Sequence, residues 1–327
     1  MDTVDLVRAN LLSPMVLAFV LGVVARLVRS DLKLPEGIYA ALSIYLLFAI
    51  GLKGGVSLSL TPAGEVWLPA LAAVVFATIA PVWIYAVVRG VARMSVADAA
   101  ALAAHYGSVS VVTFTAAIAF LDTLGVPYEG YMPALVALME IPAIVVALMI
   151  ARVQAPPAAE HTPVSWHTVL HEVLAGRGSV LLIGGLSIGL LSGAGGFAQV
   201  APFFDAPFKG VLVFFLLEMG MVAAGRLGDL RRAGAFLVAF GILMPIAHGA
   251  LGAALGWMIG LSPGGSTVLG VLAASASYIA APVAVRIALP EANPGYYLTA
   301  TLAITFPFNL AVGIPLYHAI AGLIHAW

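Results

Sequence analysis

The chain has 327 residues, of which 62% are hydrophobic and 9% charged, with a formal net charge of −1. A water-soluble domain carries about 25% charged residues, so this composition excludes one and points to an all-α polytopic membrane protein with no nucleic-acid partner. Cysteine is absent, which removes disulfides, thiolate metal sites and a cysteine nucleophile.

A helix that crosses a bilayer needs about 20 mostly apolar residues. Glycine, proline and charge punctuation divides the chain into ten such stretches: 11–29, 36–55, 66–90, 97–124, 130–152, 179–196, 207–227, 232–260, 264–289 and 295–325. The leading MDTVDLVRAN carries acids and no basic n-region, so no cleavable signal peptide is expected. One polar segment, 153–178, reads as a linker with a short helix and separates a first five-helix repeat (1–152) from a second (179–327). With ten spans, one side of the membrane collects Arg26, Arg29, Lys33, Arg89, Arg93, Arg152, Arg177, Arg226, Arg231, Arg232 and Arg286. The other side has Arg8, Lys53 and Lys209. The positive-inside rule makes the first side cytoplasmic, together with the linker, and turns both termini outward.

The halves align. Gly51 and Gly220 stand 169 residues apart, Ser108 and Ser275 stand 167, and Gly130 and Gly295 stand 165, with Pro142 falling on Pro307. The drift is what insertions between spans produce. Five spans per half force the second copy to enter the bilayer from the opposite side, a 5+5 inverted-topology repeat. Secondary transporters are built this way, with sites near the midplane at discontinuous helices.

Two Ser-x-Ser pairs mark those positions. HYGSVSVVTF (105–114) carries Gly107, Ser108, Val109 and Ser110, and ASASYIAAPV (274–283) carries Ser275, Ala276 and Ser277. Serine and glycine are poor inside helices, and serine is a good N-cap, so helices four and nine are expected to break there. Each second half then starts with free N–H groups and a partial positive charge, a place for a small anion that needs no arginine. Carbonyls ending the first halves offer oxygen to a sodium ion. The plainer alternative is that small residues only allow close helix packing.

Ionisable groups inside the membrane are costly and mostly functional. Glu140, mid-way along span five, has Thr305 as its repeat equivalent, with Asn309 one turn on. These hard oxygen donors, with Thr113 and Tyr278 beside the serine pairs, are the candidate sodium ligands. Glu140 also reads as a proton carrier or as a carboxyl bonded to a helix break. Lys53 and Glu218, on equivalent spans, are expected to pair with each other or to reach an interface. In HTVLHE (167–172) His167 and His171 share a helical face, but the zinc-protease order His-Glu-x-x-His is missing. No transition-metal site, no Walker A loop and no enzymatic activity are expected, so transport would draw on an ion gradient.

Four segments, LPEGIYAALSIYLLFAIGLKGG (34–55), HYGSVSVVTF, LLEMGMVAAGRL (216–227) and ASASYIAAPVAVRIALPEANPGYY (274–297), carry a resemblance covering nearly the whole chain. They resemble the sodium-dependent bicarbonate transporter superfamily, the SbtA-type permeases. The resemblance implies a core of 66–152 plus 232–325, a gate or scaffold of 11–55 plus 179–227, a homotrimer, and an elevator-like movement of the core. It also implies bicarbonate held at Ser108, Ser110, Ser275 and Ser277 with Na⁺ nearby, in a bacterial plasma membrane. Family members with a longer insertion between spans five and six are inhibited by a PII-like protein; the short 153–178 segment argues against such a partner here. Competing readings are a sodium symporter of another small anion, a sodium/proton antiporter, and a membrane sensor acting through the linker.

Overall fold

A computed structural model describes residues 3–154 and 166–327. Helix α1 (Thr3–Leu11) meets α2 (Pro14–Leu27) at 60°. Ser13 makes that corner. Its hydroxyl accepts from the Val16 N–H, and Pro14 takes the first helical turn, where its missing donor and fixed φ are harmless. The first expected span, 11–29, is thereby corrected: the helix starts at Pro14, ends at Leu27, and has a second helix before it.

Next come α3 (Glu36–Leu60), α4 (Ala63–Val91), α5 (Val96–Gly107), α6 (Val111–Leu124), α7 (Met132–Gln154) and α8 (Trp166–Leu174). They are followed by α9 (Arg177–Phe204), α10 (Phe208–Gly225), α11 (Leu230–Met258), α12 (Pro263–Ala274), α13 (Ala280–Ala288) and α14 (Pro294–His325). Among the described residues eight helical stretches are long and apolar enough to cross a membrane, or nine if α1 and α2 form one span. The expected ninth span, 264–289, is shared between α12 and α13, and neither reaches crossing length alone.

Two groups of helices can be told apart by their contacts. In one, α2 lies along α10 and α3 lies along α9; in the other, α4 packs with α5 and α7, and α11 packs with α12 and α14. Glycines set the first group. Gly51 and Gly55 of α3 face Gly185 and Gly189 of α9 so closely that any added Cβ would overlap partner backbone. Gly22 and Gly220 do the same for α2 and α10. Lipid tails are as apolar as leucine, so backbone approach and dispersion hold such pairs together.

Helix α14 widens into π-helical turns at Thr299–Thr305 and Asn309–Gly313. Pro307 and Pro315 each withdraw an N–H from it. Pro315 has no N–H to offer the carbonyls of Leu310 and Ala311, five and four residues before it. The buried Asn10 amide donates to Ala311 O at 3.2 Å and to Leu310 O at 2.7 Å, which docks α1 on α14. At the other end of α3, Lys53 pairs with Asp205 and stands 4.8 Å from the Phe208 ring centroid. Glu218 bonds to the Leu34 backbone. Lys53 and Glu218 thus have separate partners, and their pairing with each other is excluded.

Neighbouring glycines test the packing. Gly189→Ala drives a methyl into the Leu52 carbonyl, whereas Gly184→Ala meets nothing within 4 Å. Overpacking costs about 1–3 kcal/mol, so the first variant should lower the unfolding midpoint of the detergent-solubilised protein. The second should leave it level or raise it, since alanine is the better helix former.

Candidate functional site

Helix α5 starts at Ser95, whose hydroxyl accepts from the Asp98 N–H at 3.0 Å, and buries an almost unbroken alanine run. It stops at Gly107. A Cβ there would come within 2.6 Å of the Pro81 ring and 3.1 Å of Ala143, so packing against α4 and α7 explains the glycine. Ser108 is extended, and the backbone re-enters a helix only after Ser110. The Ser110 hydroxyl accepts from the Thr113 N–H at 3.1 Å and from the Thr113 hydroxyl at 3.0 Å. It is an N-cap deep inside the protein.

The second pair repeats the plan. Ser262 caps α12 through Gly265 N–H, Ser275 ends that helix in an extended conformation, and the Ser277 hydroxyl accepts from Ala281 N–H at 3.2 Å. In each pair the first serine closes one helix; Ser110 then caps α6, whereas α13 has Ile279 at its N-cap and receives the Ser277 hydroxyl at its first turn. The two interruptions touch. Ser110 N–H donates to Ser275 Oγ at 2.9 Å, and Ser277 N–H donates to the His105 carbonyl at 2.8 Å. Ser108, Ser110, Ser275, Ser277, Val109 and Ala276 are all buried.

The carbonyls ending the first helices are also partnered. Leu272 O accepts from Ser275, Asn309 Nδ2 donates to Ala274 O at 2.9 Å, and His248 Nδ1 stands 3.2 Å from Ala273 O. Trp83 Nε1–H donates to His248 Nε2 at 2.7 Å, so the ring proton lies on Nδ1 and points at that carbonyl. In α5, His105 Nδ1 stands 2.7 Å from Ala101 O. The last two carbonyls of α12, which the helix end leaves unpaired, are therefore held by side chains of other helices.

Between the interruptions lies a cavity of about 10 Å³, lined by Val109, Ser110, Val111, Ser277, Tyr278, Ile279 and Glu140 on one side and by Leu47 and Gly178 on the other. That is room for about one water molecule. It sits where the two helix groups meet, since Leu47 and Gly178 belong to α3 and α9. First-turn N–H groups of α6 and α13 point this way by helix geometry, with the positive end of each dipole.

The sodium candidates separate. Glu140 lines the cavity, is 6% exposed, and has a carboxyl oxygen 3.3 Å from Ser179 Oγ, whose proton goes to the Val173 carbonyl. The Ser108 hydroxyl donates to the Glu140 backbone carbonyl at 3.0 Å. The Tyr278 hydroxyl is buried and faces Ser110, and Thr113 is bonded to Ser110. Thr305 and Asn309 do not line the cavity. Thr305 Oγ1 bonds to Tyr106 OH and to Gly241 O, both at 2.6 Å, and Asn309 Oδ1 accepts from Tyr317 OH at 2.8 Å.

Two residues not singled out from sequence belong to the site. His105 supplies the carbonyl that holds Ser277, and a buried mid-span histidine is a signal that was open to reading. Ser179 joins Glu140 to the Val173 carbonyl of α8 at 2.7 Å, and nothing in the sequence marks it. On α8 the His167 and His171 rings stack with centroids 6.3 Å apart. No cluster of three metal-ligating side chains occurs among the described residues. Val169 and Val173 are buried, so this linker helix packs on α13 and α9. Linker residues 155–165 lie outside the described residues.

Comparison with known proteins follows the same direction. No curated protein matches the chain. The family profile of the Na⁺-dependent bicarbonate transporter superfamily matches residues 14–322, a stretch that includes both serine pairs, Glu140 and every helix from α2 to α13. The chain belongs to the Na⁺-dependent bicarbonate transporter superfamily.

Proposed function

We propose that the protein is a secondary active transporter that couples inward movement of Na⁺ to uptake of bicarbonate. The observation that carries this is the meeting of two buried helix starts, one capped by Ser110 and one reached in its first turn by the Ser277 hydroxyl, at one cavity between two helix groups. Two helix N-termini supply hydrogen-bond donors and partial positive charge to an anion. Glu140 and the adjoining backbone oxygens supply hard ligands to a sodium ion, which in turn offsets the carboxylate beside the anion. Bicarbonate has four heavy atoms and does not fit a space for one water. The cavity described is thus a closed state, and binding requires Leu47 and Gly178 to part from the serine pairs.

Alternating access supplies that parting. The contacts support an inverted repeat of five spans: α2 with α10 exchanges with α3 with α9, and the α4, α5, α7 trio exchanges with α11, α12, α14. In this reading α5–α6 and α12–α13 are the discontinuous spans four and nine. The serine-bearing group moves as an elevator against the glycine-packed group, within a homotrimer in a bacterial plasma membrane. Both termini face outward by the charge distribution. Tyr278, Thr113, Thr305 and Asn309 serve as supports of the broken helices, with Tyr278 nearest to the bound ions. A PII-like regulator is not part of the proposal, because the linker is short.

Uptake of labelled bicarbonate by purified protein in liposomes, with and without an inward sodium gradient at fixed pH, tests the reading. Ser108→Ala combined with Ser275→Ala removes two hydroxyls at about 1 kcal/mol each. Uptake should fall roughly tenfold or more while the protein still folds and keeps its oligomeric state. Undiminished uptake by this variant rejects the site.

The antiporter reading is favoured by one observation, the burial of Glu140 at the cavity. Glu140→Gln separates the two. As a sodium ligand, its loss should raise the sodium concentration for half-maximal bicarbonate uptake. As a proton carrier, its loss should abolish a sodium-driven pH change in liposomes free of bicarbonate, a change that the proposal expects to be absent from the unaltered protein.

A further inference from the structure

A second cavity, separate from the serine pairs, lies where α2 and α10 end on the arginine-rich side. It is a half-open cleft of about 860 Å³, lined by Arg26, Arg29, Lys33 and Arg226, by Asp31 and Glu218, and by an apolar wall that includes Leu32 and Val222. The lining groups sum to a net charge of +2. Among the described residues Arg26, Arg29 and Lys33 have no carboxylate within ion-pair distance, whereas Arg226 pairs with Asp229 at 3.9 Å. The Arg26 guanidinium lies across Gly225, near 3.8 Å from the place its Cβ would occupy. Arg29 stands in the left-handed region at φ +57°, just past the end of α2, where glycine is usual. Glu218 bonds to the Leu34 backbone, and its Oε2 is buried without a hydrogen-bond partner.

Charges that serve only to set topology need not share a cavity, nor leave a carboxylate on its wall with an unpartnered oxygen. A bound group with an acidic end and a donor satisfies both features. The surroundings say what carries it. Leu27, Val28, Leu32 and Val222 are 61%, 68%, 41% and 36% exposed, so the charged cavity runs into an apolar surface at the membrane boundary. Phosphate on arginine, a hydroxyl on Glu218 and chains along these side chains describe a lipid. The surplus positive charge selects an anionic headgroup over a zwitterionic one, as basic pockets between membrane helices do.

We propose that this cavity binds an anionic phospholipid of the phosphatidylglycerol type, its phosphate on Arg26 and Arg29 and a headgroup hydroxyl donating to Glu218. The site is independent of the transported ions. Delipidated full-length protein is titrated with short-chain phosphatidylglycerol or phosphatidylcholine, and bound lipid is counted by native mass spectrometry. Phosphatidylglycerol should bind in preference. Arg26→Gln with Arg29→Gln should weaken it roughly thirtyfold, and Arg26→Gln alone roughly fivefold, at the usual contribution of one basic residue near a membrane surface. Arg93→Gln with Arg152→Gln removes equal charge from the same side, including an arginine with the same left-handed backbone, and should leave binding unchanged. The single variant keeps the test open if the double variant does not fold. Equal loss in both double variants, or equal binding of the two lipids, overturns the proposal. Full displacement by glycerol phosphate overturns the lipid assignment in favour of a soluble phosphate ester.

Discussion

Inside a bilayer each backbone N–H and C=O must find a partner, because no water is there to take its place. Two helix interruptions buried against each other set that requirement at its most severe. The chain meets it largely by pairing one interruption with the other: Ser110 N–H with Ser275 Oγ, Ser277 N–H with the His105 carbonyl. Side chains from farther helices take the rest, His248 and Asn309 on the last carbonyls of α12. The position of the site follows from this constraint. The two interruptions satisfy part of each other's backbone, so they stand together at one place in the fold.

Much of this was legible in the chain itself. Ser-x-Ser twice at matching offsets, in a sequence that is 62% hydrophobic, announces interrupted helices because serine caps helix starts and serves poorly inside them. The length rule was less faithful, since it treats a span as one continuous rod. It therefore missed the corner at Ser13 and the separate helix before it. Other roles were hidden for a simple reason. Asn10 matters because Pro315 has no N–H to offer two carbonyls about three hundred residues from Asn10, and His248 matters because α12 ends where it does. No local pattern encodes either meeting.

The cation candidates illustrate a different limit. Glu140 and Thr305 are equivalent along the sequence, and equivalence suggested a shared site. Equivalent positions in a repeat occupy equivalent surroundings, one in each half, and coincide only near the axis that relates the halves. Glu140 accordingly lines the cavity, while Thr305 is engaged by Tyr106 and Gly241. Family membership adds the Na⁺ dependence, and Glu140, at the cavity, is the proposed sodium ligand.

The glycine seams have a mechanical meaning. Where Gly51 and Gly55 meet Gly185 and Gly189, main chain rests on main chain, with no side-chain torsions between them to yield. Such a joint behaves as a weld and not as a bearing. The other helix group meets this frame at fewer and more varied contacts, among them Gly54 against the Pro133 ring and Phe19 against Phe306. In the proposed elevator movement, displacement runs along that boundary, where the small cavity lies.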